Sequence, residues 1–163
     1  MNNAIIVESQ VSSRTLTPAV RMTWGREAAQ LDPVQARYHA FSVLEAIAAA
    51  EIDVCLMQFV VKKLGSTPLK ASQRLMAFRQ KRDNRAVPST TITMVDGERI
   101  SPDTARVRAE LLMDMAFSAE ADAMLQIFLL EDMKQSPEVV DQIVQEFRNL
   151  RGAANVWPSE RSR

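Results

Sequence analysis

Five times in this chain a residue able to cap a helix stands directly before a proline: Thr17-Pro18, Asp32-Pro33, Thr67-Pro68, Ser101-Pro102 and Ser136-Pro137. The first residue of each pair offers an oxygen to the free N–H groups of a first helical turn. The proline already has helical φ and lacks the N–H that this position leaves unbonded. A helix-compatible run follows each pair, so the sequence predicts five helix starts. The expected fold is mainly α, a bundle of about five helices with one small β-hairpin at residues 91–100.

The second pair opens the most telling stretch, Asp32 to Gly65. Gly65 is suited to the left-handed conformation that ends a helix, and Lys62 and Lys63 suit the negative end of its dipole. Tyr38, Phe41, Ala48, Ile52, Cys55 and Phe59 recur at spacings of three, four and seven, and Leu44, Ile47, Val54 and Leu56 widen that face. A helix apolar over so much of its surface is expected to be covered on several sides. The sequence therefore casts 33–64 as the central post of the fold, hidden along most of its girth.

The remaining runs are read in the same way. Val20, Trp24, Ala28 and Leu31 have helical spacing, which predicts a helix over 18–31 despite Gly25. Residues 68–82 form a basic helix. Ser89 to Ile100 turns to period two and β-branched residues around Asp96-Gly97, a preferred hairpin turn, which predicts strands at 91–95 and 98–100. Ala105, Ala109, Leu112, Ala116, Ala119, Ala123, Ile127 and Leu130 form a small-residue seam along 102–134, with Ser118 as a candidate break. The last helix, 137–151, is expected to bury Val140, Ile143, Val144, Phe147 and Leu150.

Residues 1–16 read as a flexible arm or short strand, with the arm or tail favoured. Residues 17–152 read as a single helical domain, and 153–163 as a mobile tail. Helices of about 32 residues, each about 48 Å long, overreach an average globule of this size. The sequence therefore predicts a homo-oligomer, and Leu112, Ala116, Ala123 and Ile127 on the small-residue seam are its candidate interface.

Twenty basic and twenty acidic residues cancel, yet they are not evenly spread. Residues 62–85 carry a net charge of +7 and residues 103–146 a net of −7. Two readings follow from that asymmetry. In the first, the two segments complement each other within a protein that assembles with itself or with another protein. In the second, the basic helix binds nucleic acid through Lys70, Arg74, Arg79, Lys81 and Arg82, as a coat-like or regulatory protein would, with salt-sensitive affinity.

Catalytic motifs are lacking. There is no glycine-rich phosphate loop, HExxH, serine elbow or paired CxxC, and a di-metal bundle needs more than one histidine. His39 reads as a helix-surface or partly buried histidine, and Cys55, set among apolar neighbours, as a buried inert thiol. The expectation is a protein that is not an enzyme, with no catalytic residue, metal or cofactor. The single cysteine fits a reducing compartment, and neither a signal peptide nor a membrane span is read. Cytoplasmic residence with no membrane partner is the corresponding expectation.

Overall fold

The structure, a computed structural model, describes residues 5–12, 14–24, 26–81, 92–93, 99–151 and 155–156. It is mainly helical, with four α-helices and a small antiparallel sheet among these residues. The strands are β1 (Ile5–Val11), β2 (Pro18–Trp24), β3 (Glu27–Leu31), β4 (Ile92–Thr93), β5 (Arg99–Ile100) and β6 (Asn155–Val156). The helices are α1 (Pro33–Leu64), α2 (Pro68–Lys81), α3 (Pro102–Ile127) and α4 (Pro137–Arg151), with a π-helical turn at Phe128–Asp132.

Four of the five proline pairs start helices. At α1 the cap is reciprocal: the Gln35 N–H donates to Asp32 Oδ1 at 2.8 Å, and the Asp32 N–H donates to Gln35 Oε1 at 3.3 Å. This satisfies two first-turn donors at once. Thr67 accepts from the Lys70 N–H, Ser101 from the Thr104 N–H and Ser136 from the Val139 N–H. Beside Ser136, the Glu138 carboxyl is held below the ordinary glutamate range by its own backbone N–H and by the Ser136 hydroxyl.

Gly65 closes α1 with φ at +64°, and the Ser66 N–H reaches back to the Val60 carbonyl at 3.3 Å. Nothing lies within 4 Å of the Cβ that an alanine would add there. Gly65→Ala is therefore expected to cost about 1–2 kcal/mol through backbone conformation alone, read as a lowered thermal midpoint. An unchanged midpoint would show that the chain leaves α1 by another route at no cost.

The fifth pair corrects the predicted helix at 18–31. Thr17-Pro18 begins strand β2, where proline is tolerated as a first residue, and β2 pairs β3 in a hairpin with Trp24 opposite Glu27. Gly25, between the two strands, lies outside the described residues. Val20, Met22 and Trp24 also alternate with Arg21 and Thr23. The segment therefore carries a period of two beside its period of four, and pairing with β1 selects the former.

The main sheet runs β3-β2-β1-β6, all antiparallel where paired. Of the alternatives held for residues 1–16, Ile5–Val11 takes the strand, and it is an inner strand of the sheet. Val7 pairs Met22 and Ser9 pairs Val20, so these four side chains share one face, and Val7 and Val20 are fully buried. The predicted hairpin is present as β4 with β5, Ile92 opposite Ile100, and its Asp96-Gly97 turn lies outside the described residues. So do Arg82 and the tail after Val156.

Contacts gather the chain into two units, one of residues 1–41 and 107–158, the other of 42–106 and 159–163. In the second, Ile47, Ala50, Ile100 and Ala105 form a core with Val43, Leu44 and Ala46 packed on it. In the first, α3 turns Ala109, Leu112, Ala116, Ala119 and Ala123 inward, and Val140 and Val144 of α4 are buried too. Ser118 does not break α3; the irregularity comes later, in the π turn. The expected burial of Phe147 and Leu150 fails, for both are exposed. Val140 and Val144, one turn apart, take the buried positions of α4, and Phe147 instead lies under the Arg151 guanidinium.

Candidate functional site

Helix α1 is apolar on two nearly opposite faces, and only one of them is covered. The inward row is Pro33, Ala36, Ala40, Val43, Ile47 and Ala50, all buried or half-buried. The outward row is Val34, Tyr38, Phe41, Glu45, Ala48, Ile52, Cys55, Phe59 and Lys62, and every one of these is exposed. Phe41, Ile52 and Phe59 stand 54, 57 and 55 % open to solvent.

Within one chain, then, the post is not hidden along most of its girth: only the inward face is covered. Width of the apolar surface was read correctly, but its covering was not. Small alanines let α1 approach its own chain closely on the inward side. The large side chains sit on the other side and stand open to solvent. Cys55 lies on the same outward row and is exposed rather than buried. His39 is exposed as well, edge-on to Tyr38 with ring centroids 6.3 Å apart.

The outward row has a second property. Its steps are four, three, four, three from Val34 to Lys62, a mean period of 3.5, which is the spacing of a seam between supercoiled helices. A single surface residue of this kind means little, but here the exposed row runs the length of α1. Two charges interrupt it, Glu45 and Lys62. Helix α3 carries a comparable exposed row, Val107, Glu110, Asp114, Phe117, Ala121, Met124 and Phe128, but its two charges are both acidic.

Of the residues proposed from sequence for an interface, Leu112, Ala116 and Ala123 are buried within the chain, and Ile127 is 37 % exposed. Of the basic residues, Lys70 and Arg74 are exposed on α2, with Arg74 donating to the Ser66 hydroxyl at 3.1 Å. Arg79 and Lys81 belong to the same helix. Of the acids of α3, Glu120 meets Arg37 at 2.7 Å and Asp103 meets Arg106 at 3.7 Å. Glu120 raises the Arg37 guanidinium above its usual value, and Arg37 also lies 5.6 Å from the Phe117 ring centroid.

A polar cluster in the first unit was not foreseen. The Asp122 side chain is 0 % exposed and accepts from Arg148 Nε at 2.8 Å, from Arg151 Nη2 and from Ser9 Oγ at 3.2 Å. Arg151 also stacks on Phe147, 5.3 Å from the ring centroid. One carboxylate thus ties β1, α3 and α4 together. A signal for it was present: Leu112, Met115, Ala119, Asp122 and Gln126 step by three and four, so Asp122 stands in an inward row. Counting apolar residues alone passed over it.

The cluster has the character of a structural tie, since its oxygens are already occupied. Among the described residues no group of three or more His, Cys, Asp or Glu side chains is placed to hold a metal ion, and no helix is long and apolar enough to cross a membrane. Comparison with protein-family models, with curated proteins and with solved structures finds no match to this chain.

Proposed function

We propose that this chain is a non-enzymatic assembly or adaptor protein that associates with itself through the outward row of α1. The observation that carries this reading is the row itself: four large apolar side chains (Tyr38, Phe41, Ile52, Phe59) open to water on one helix face at coiled-coil spacing. Burying such a face is worth about 1.5–3 kcal/mol per large side chain, which is ample to hold two helices together. The basic and acidic segments fit the same reading between copies, because Lys62, Lys63, Lys70 and Arg74 on one side and Glu110 and Asp114 on the other are exposed.

Sedimentation across a range of concentrations tests the proposal. The expected result is a defined oligomer whose dissociation constant rises with salt only modestly. A monomeric mass at every concentration would overturn it.

Nucleic-acid binding is the second reading, and the exposed Lys70 and Arg74 of α2 favour it. Under the assembly reading, mixed oligonucleotides at low salt leave the protein's mobility unchanged. A retarded complex that weakens in the triple variant Arg74→Ala, Arg79→Ala, Arg82→Ala would instead make α2 a phosphate-contacting helix.

A further inference from the structure

Building on the assembly reading, we infer that the occupant of the α1 row is the same row of a second copy, running antiparallel about a two-fold axis between Asp53 and Val54. The part of α1 involved, residues 45–62, lies wholly within the second unit. It spans about 26 Å at 1.5 Å per residue.

Charge selects this pairing. In it Glu45 faces the partner subunit's Lys62, and by symmetry Lys62 faces the partner subunit's Glu45. A parallel pairing in register sets Glu45 against Glu45 and Lys62 against Lys62. Slipping the partner one heptad toward its N-terminus sets Glu45 against Cys55 and Lys62 against Tyr38, and slipping it two heptads sets Glu45 against Ala48, so in neither register does a cation face the carboxylate. Like charges across a seam oppose association, and opposite charges fix register and orientation.

Shape selects the same pairing. Ala48 faces the partner's Phe59, and Ile52 faces the partner's Cys55, so each larger side chain meets a smaller one at every layer. Leu56, exposed beside the row, reaches the partner's Ala49. An acid-only row such as that of α3, with Glu110 and Asp114, lacks the means to complement itself in this way. The inward face of α1 stays on its own core throughout, because Ile47 and Ala50 point away from the seam.

The single cysteine gives a direct test on the full chain. Across this seam the two Cys55 residues are offset by only three positions, about 4.5 Å along the axis. A bismaleimide with a two-carbon spacer is expected to convert the protein to a covalent dimer, and Cys55→Ser to prevent it. Glu45→Lys and Lys62→Glu are each expected to weaken dimerisation roughly tenfold, and the double variant Glu45→Lys, Lys62→Glu to restore it. An oligomer in solution that neither cross-links through Cys55 nor recovers in the double variant would overturn this pairing while leaving self-assembly intact. A monomeric mass in solution would overturn both.

Discussion

Asp122→Ala is expected to lower the stability of the protein by about 3 kcal/mol, the low end of the range for breaking a buried ion pair. The carboxylate is fully buried, and it receives two arginines from α4 and a hydroxyl from β1. Removing it takes from both guanidiniums the carboxylate they share. Arg148 has no reserve, for its Nη2 atom is already buried without a hydrogen-bond partner. The low end of the range applies because the arginine side chains are 24 and 29 % exposed and retain some access to water.

Asp122→Asn, which keeps one acceptor but no charge, should fall between wild type and alanine. Urea unfolding measures both, as a shift of midpoint at constant slope. A loss below about 1 kcal/mol would show that the arginines simply turn outward, and the cluster would cease to be a tie between β1, α3 and α4. The alternative of replacing the whole cluster by apolar residues differs in kind, since a buried ion pair exchanged for packed hydrocarbon is often neutral.

Phe59→Asp has the opposite signature: a large effect on association with little effect on the folded chain. With 55 % of the side chain open, each copy leaves on the order of 100 Å² of aromatic surface in water. Two copies together bury about 200 Å², or about 5 kcal/mol, if the row is the interface. The dissociation constant should therefore rise by between about three and four powers of ten. Unfolding of the variant monomer should stay within about 0.5 kcal/mol of wild type, as for other surface changes.

Those two measurements bear on different claims. Unchanged association in Phe59→Asp would remove the outward row from the interface. A variant that loses folded stability by several kcal/mol would place Phe59 in the chain's own core and remove the open row altogether. Ile52→Asp repeats the test one layer away and guards against an effect peculiar to the aromatic ring.

Much of the architecture was legible. The boundaries of α1 and the starts of α2, α3 and α4 follow from local chemistry: a capping oxygen, a proline with preset φ and, at the end of α1, a glycine at positive φ. These act within four or five residues, so no distant partner is needed to decide them. The alanine seam of α3 was legible too, and its burial at Ala105, Ala109, Ala116, Ala119 and Ala123 follows the predicted face. That the seam is buried within one chain was not legible. Periodicity says which side chains share a face and is silent on whose surface covers it.

The same silence explains the two largest misreadings. Residues 18–31 carry both a period of two and a period near four, and only the pairing of β2 with β1 and β3 decides between them. Helix α1 has two apolar faces, and hydrophobicity ranks the one with Tyr38, Phe41, Ile52 and Phe59 first. Packing chose the alanine face, because close approach over many small residues excludes water more completely than a row of large side chains with no facing groove.

What the sequence alone determined, then, is where helices begin and end, which residues share a face, and that charge is polarised between two segments. Only the tertiary structure decided that Thr17-Pro18 opens a strand, that Asp122 is drawn into the interior by two arginines 26 and 29 residues away in sequence, and that the bulkiest face of α1 looks outward. The division has a physical cause. Caps and turns are settled by hydrogen bonds within a few residues, whereas burial and strand pairing depend on contacts between segments far apart in the chain.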